Sequence, residues 1–160
     1  MPIVPANGIE LYHETFGDPD HPPVLLISGL WAQCTGYDDR FVEALAATEL
    51  FVVRYDNRDV GLSTHVEPEV SYDIGDLVGD ALALLDALEL DRAHVVGTSM
   101  GGMIAQQLAI DAPDRVLSLT SIMSTTGEAE VGNPNPEILG ARIELQQPVE
   151  GREAAIEKGM

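Results

Sequence analysis

The sequence predicts an α/β fold: a mostly parallel sheet with flanking helices, incomplete on its C-terminal side. Three observations predict it. Short segments apolar on both faces recur along the chain, as strands buried inside a sheet require. Amphipathic helical patterns lie between them, and strands alternating with helices mean parallel βαβ units. The alternation then stops about 35 residues short of the chain's end, a coarse reading from residue periodicity.

The elements follow in order. Ile9 to Phe16 carries β-branched and aromatic residues and reads as a strand; the Gly17-Asp18-Pro19-Asp20-His21-Pro22-Pro23 run that follows is turn chemistry. Val24 to Ile27 is apolar throughout, a buried strand. Asp38 to Ala46 is a weaker helical pattern. Phe51 to Tyr55 is a further strand. Ile74, Leu77, Val78, Ala81, Leu84, Leu85 and Leu88 repeat at three- and four-residue steps, so they form one apolar stripe of a helix, with Asp73 at the N-cap. Ala93 to Val96 is a buried strand, a helix runs from just after Ser99 to about Ile110 and stops near Pro113, and Val116 to Met123 reads as the last strand. In such a sheet ligands bind outside the carboxyl ends of the strands. From Thr125 the texture changes. Gly127 to Pro136 is a loop, and two short helical stretches, Glu137 to Leu145 and Glu150 to Gly159, do not continue the rhythm. We therefore expect residues 1–124 to be the core of the domain and residues 125–160 the start of a lid or cap insertion.

Composition narrows the function classes. The chain has 160 residues, 45% hydrophobic and 22% charged, as one soluble globular domain has. Its 8 basic against 27 acidic residues give a net charge of −19, which disfavours nucleic acid and anionic membrane surfaces as partners. Lys158 is the only lysine, which argues against Schiff-base chemistry and Ser–Lys dyads. One cysteine, Cys34, excludes an internal disulfide and a cysteine-rich zinc site. Separately, neither a metal nor a cofactor is expected. No apolar run approaches the about 20 residues of a membrane span, and the N-terminus has no basic region or long apolar stretch. A cytoplasmic location is the default expectation.

One motif carries chemistry. Gly97-Thr98-Ser99-Met100-Gly101 stands between a buried strand and a helix. A serine on a sharp strand-to-helix turn has its hydroxyl lifted into the cleft on strained backbone. Gly97 and Gly101 sit where side chains would collide as the turn tightens. The following helix aims free N–H groups and its positive dipole end at the site, where an anionic tetrahedral intermediate is stabilised. The bland alternative is a glycine-rich turn with Ser99 as a helix cap. Trp31 and Met100 either line an acyl pocket or, in the case of Trp31, plug a loop against the core.

With these residues in hand, the chain resembles the α/β-hydrolase family over nearly all of residues 1–123. The segments that carry the resemblance are Asn7-Gly8-Ile9 with Leu11-Tyr12, Ile27-Ser28-Gly29-Leu30, Arg54 to Ser63, the Ser99 turn, and Ala112 to Val116. Asp56 to Ser63 and the turn look most like the esterase subgroup that includes aclacinomycin methylesterase. The resemblance implies that Ser99 is the nucleophile, that the Met100 N–H is one oxyanion donor, and that the second comes from the Gly29-Leu30 loop, as the Leu30 N–H. Ser28-Gly29 stands where many relatives have His-Gly. The implied activity is hydrolysis of small-molecule carboxylic esters. A perhydrolase or lactonase on the same scaffold, and a non-catalytic ligand- or partner-binding protein, are the alternatives.

The family's order is Ser, then Asp or Glu, then His. All four histidines, His13, His21, His65 and His94, precede Ser99. Asp111 and Asp114 lie at the far end of the helix after Ser99, and Glu128 and Glu130 are poor candidates for the acid. His94 reads as a packed residue, His65 as a loop residue at the correct edge, His13 and His21 as surface residues, and Cys34 as a buried thiol. The expectation is the front part of a longer hydrolase, inactive alone. Its last strand leaves an open apolar edge, covered by the rest of a longer chain, by a second polypeptide or by another copy.

Overall fold

Six strands and three α-helices build the unit, seen in a computed structural model that describes residues 2–67 and 69–128. The strands are β1 (Ile3–Ala6), β2 (Ile9–Phe16), β3 (Pro23–Ile27), β4 (Phe51–Tyr55), β5 (Ala93–Thr98) and β6 (Val116–Ile122); the helices are α1 (Asp39–Ala46), α2 (Ile74–Ala87) and α3 (Met100–Asp111). The chain divides into Met1–Gly127 and Glu128–Met160. The helical stretches expected at Glu137–Leu145 and Glu150–Gly159, and the Gly127–Pro136 loop past Glu128, lie outside the described residues.

The sheet order is β1-β2-β4-β3-β5-β6. β4, β3, β5 and β6 are parallel, and β1 and β2 are antiparallel. This is the mostly parallel sheet that the alternating pattern predicts. β1 is an addition. Pro2 and Pro5 mask it in the sequence, and a proline is tolerated there because β1 is an edge strand.

Residue alternation divides β3 and β4 between two cores. Leu25, Ile27, Val53 and Tyr55 face α2 and α3, together with Leu77, Leu84, Ile104 and Leu108. Val24, Leu26 and Val52 face α1, with Val42. β3 therefore reads as a continuous apolar run, because both of its faces are covered, whereas β4 interrupts its run with the buried Arg54, paired with Glu14 and Asp39. α2 begins on a capping box: Asp73 Oδ1 accepts from the Gly75 and Asp76 amides, and Asp76 Oδ2 accepts from the Asp73 amide.

The strand order has a consequence for function. From β3 the chain crosses over to β4 on one side, then returns to β5 on the other. The carboxyl ends of β3 and β5 therefore flank the topological switch point, where loops diverge and leave a crevice. Ser28 follows β3 and Ser99 follows β5.

Candidate active site

Ser99 has φ 54° and ψ −121°, backbone angles that a residue with a Cβ adopts only under strain of about 1–3 kcal/mol. The surrounding bonds hold it there. Its amide donates to Ile122 O (2.9 Å), and its carbonyl accepts from the Gly102 amide (2.9 Å) and the Ser124 hydroxyl (2.7 Å). The bend is also too tight for side chains beside it. A Cβ at Gly97 would lie 2.0 Å from Gly101 O, and one at Gly101 would lie 2.1 Å from Ile27 O. The Ser99 hydroxyl caps no amide of α3, so the cap reading does not describe this turn. Met100 is the first residue of α3, where an amide has no intrahelical acceptor.

The loop after β3 lies against this bend. A Cβ on Gly29 would stand 3.2 Å from Ser99 Cβ and 3.7 Å from Ser99 Oγ, so backbone and hydroxyl are neighbours. The Gly29 carbonyl accepts from the Ala32 amide (3.1 Å), which curls the loop back. Leu30 and Trp31 ride on its outside. Trp31, with φ 60°, is 60% exposed and does not plug the loop against the core. A cavity of about 250 Å³ opens beside the loop between Gly29, Ala32, Tyr37, Thr98 and Met123. The Tyr37 hydroxyl donates to Ile27 O (3.1 Å) and lies 3.3 Å from Thr98 Oγ1, tying the ends of β3 and β5 together.

The sequence reading missed a second layer, which comes from the segment after β4. Asp56 accepts from the Cys34 amide (2.7 Å) and the Leu62 amide (3.0 Å); Asn57 donates to Ser28 O (3.2 Å); Ser28 Oγ donates to Gln33 O (3.3 Å). Arg58 forms a buried, two-pronged ion pair with Asp80 of α2. Gly61, at φ 57°, leaves room for the Asp56 carboxylate, which a Cβ would meet at 2.0 Å. The Arg54 to Ser63 motif is therefore a frame for the loop after β3. The signal was the run of charged and amide residues directly after a buried strand, where a solvated loop needs no such density. Cys34 is buried, and burial followed by the Asp56 charge pushes its thiol up to about 12.

None of the histidines is hydrogen-bonded to Ser99. His13 is in register with Tyr55, Tyr55 with Ile27, and Ile27 with Gly97, three strand spacings or about 14 Å across the sheet. It is also buried, not a surface residue: it lies in β2, paired with Tyr55 of β4 on one side and donating its amide to Pro2 O on the other; burial alone lowers its pKa. His21 is half-buried in the turn before β3, at the opposite edge of the sheet. His94 is the second residue of β5, about 16 Å of strand from Ser99, and meets Ser118 Oγ at 2.7 Å. His65 is exposed, 3.4 Å from Gly61 O, behind a Thr64 that is bonded to Glu10 of β2. Among the described residues no group of three or more His, Cys, Asp or Glu side chains could hold a metal, and no helix is long and apolar enough to cross a membrane.

A profile of the alpha/beta hydrolase fold matches residues 22–158. The chain belongs to the α/β-hydrolase family. Rhodomycin D methylesterase DnrP of Streptomyces peucetius is 38% identical over 98% of this chain and 58% of its own length. 3-Oxoadipate enol-lactonase 2 of Acinetobacter baylyi is 30% identical, over 84% of this chain and 49% of that protein. The crystal structure of the enol-lactonase from Burkholderia xenovorans LB400 superposes with a TM-score of 0.74 and 29% identity, covering 98% of this chain and 57% of that one. This chain thus spans about half the length of these proteins. The similarity to a methylesterase agrees with the esterase-type resemblance of the Asp56 to Ser63 segment.

Proposed function

We propose that the protein is a serine hydrolase of small-molecule carboxylic esters, with Ser99 as the acylated nucleophile. The observation that carries this reading is the Ser99 bend: strained, uncapped, at the switch point and packed against Gly29. The printed activities of the relatives, a methylesterase and enol-lactonases, both break an acyl C–O bond, and they support the substrate class.

In the proposed reaction Ser99 Oγ attacks the ester carbonyl carbon and gives up its proton to a histidine. The carbonyl oxygen, now anionic, is held by the Met100 and Leu30 N–H groups. The tetrahedral intermediate collapses, the alcohol leaves with the proton, and water then cleaves the acyl-enzyme by the same route. Each oxyanion donor contributes about 10²–10³-fold in kcat. Trp31 and Met100 border the acyl group. The acid and the histidine come from residues outside this chain, a reading supported by the positions of His13, His21, His65 and His94. A lactonase uses the same residues, because a lactone is an internal ester.

The test is a fluorophosphonate probe on the full-length protein, with the adduct mapped by mass spectrometry. We expect the label on Ser99 and loss of ester turnover in Ser99→Ala. An unlabelled Ser99 overturns the proposal. A non-catalytic binding role, motivated by the lack of a histidine after Ser99, predicts no turnover even at full length; a peroxide-dependent activity would mark a perhydrolase.

A further inference from the structure

We propose that Asn57 is a positioning residue for this site: its side-chain amide fixes the Ser28–Gly29 peptide, which leads into the unit carrying the Leu30 N–H. The proposal rests on the Ser99 reading above and adds what sets the second oxyanion donor.

Peptide units are planar, so fixing a carbonyl fixes the N–H on its far side. Two successive units in the loop after β3 are fixed in this way. Asn57 Nδ2 holds the Ser28 carbonyl at 3.2 Å, and the Ala32 amide holds the Gly29 carbonyl at 3.1 Å. The Leu30 N–H belongs to the second of these units. It points opposite to the Gly29 carbonyl and donates to no acceptor among the described residues. A side chain at Gly29 would meet Ser99 Cβ at 3.2 Å and Thr98 O at 3.3 Å, so the loop lies directly against the bend.

The anchor itself is rigid. Asn57 is 1% exposed and follows β4 by two residues. Asp56 beside it holds the loop's other end through the Cys34 amide, and Ser28 Oγ closes the loop on Gln33 O. Two consecutive side chains thus grip both ends of one loop. The Asn57 Oδ1 atom has no partner among the described residues, so the donor end of the amide is the part in use. Ser28 stands where a histidine precedes the glycine in many relatives, and here the loop is braced from β4.

The experiment uses the full-length protein, with active sites counted by fluorophosphonate titration. Asn57→Leu removes the donor at nearly the same volume, and Asn57→Ser retains a shorter donor. We expect Asn57→Leu to lower kcat per titrated site by about 10- to 100-fold, as misplacement of a catalytic group by about 1 Å does, with KM changed less than twofold. Affinity for a boronic acid that forms a tetrahedral adduct on Ser99 should fall by the same factor, and Asn57→Ser should recover part of both. An unchanged kcat per titrated site in either variant overturns the proposal. So does a loss of thermal stability with no change in the ratio of boronic acid affinity to KM. If Asn57→Leu does not fold, Asn57→Ser carries the test through its smaller fall in kcat. Full activity in Ser99→Ala would instead overturn the nucleophile assignment, a result separable from these.

Discussion

At the scale of single residues, the unusual positions share one cause: the loops at the carboxyl edge are packed too closely for ordinary side chains or ordinary ionisation. Gly97 illustrates the backbone case. A methyl group there meets Gly101 O at 2.0 Å, and neither backbone can retreat without unmaking the bend. We expect Gly97→Ala to destabilise the fold by about 3 kcal/mol, the upper end for overpacking, read as a lower midpoint in urea denaturation. Cys34 illustrates the ionisation case. With its thiol raised to about 12, it should resist alkylation by iodoacetamide at pH 8 in the folded protein and react once denatured. Rapid labelling of the native thiol would contradict its burial. His13 makes a pH prediction. Burial lowers its pKa below the ordinary 6.5, so the unfolded chain binds the proton more readily. The folded state therefore keeps this contribution above about pH 6.5 and loses it as the pH falls toward the lowered value. Thermal midpoints of the wild type and His13→Gln, measured from pH 8 to pH 5, should show a flatter decline in the variant.

At the scale of elements, the segment after β4 is the keystone, because it joins α2, the N-terminal hairpin and the loop after β3. Arg58 and Asp80 meet through two bonds of 2.6 Å, and Asn7 from the β1–β2 turn donates to the same Asp80 Oδ1 at 2.9 Å. The Arg58 guanidinium also lies over the Tyr72 ring, 5.1 Å from its centre. Removing one member of a buried pair strands the other charge, so Asp80→Ala should cost about 3–5 kcal/mol in denaturant unfolding. Replacing both, as Arg58→Met with Asp80→Leu, should recover much of that loss; no recovery would mean that Asn7 and Tyr72 carry the junction. Asp80 borders the apolar stripe of α2, and a sequence pattern files it with the solvated face. Only its partner, 22 residues earlier, makes it a core residue.

At the scale of the whole molecule, the far edge of β6 has no strand partner among the described residues, and Leu117, Leu119 and Ile122 on it are exposed. An apolar groove of about 420 Å³ runs from this strand across Leu26 and Val96 to Leu45 of α1. Unpaired apolar edges recruit other strands. Residues 1–160 produced alone should therefore elute above their 17.2 kDa, and more so at high salt, which screens the −19 net charge. Leu119→Lys should restore the monomer; light scattering that finds a monomer without the substitution would overturn this expectation.

What the sequence by itself determined was what local spacing encodes. The apolar run at Val24–Ile27, the mainly apolar segments Phe51–Tyr55 and Ala93–Val96, the stripe from Ile74 to Leu88, and the glycines flanking Ser99 each report their own few residues, since strand and helix periods need no distant partner. β1 escaped because its prolines break the pattern that an edge strand does not need. What only the tertiary structure decided was which distant residues meet. The sheet order brings the end of β3 beside Ser99 and sets His13 beside Tyr55, Asn57 against Ser28 and Arg58 against Asp80. Those pairings depend on how strands cross over and pack, and no spacing along the chain records them.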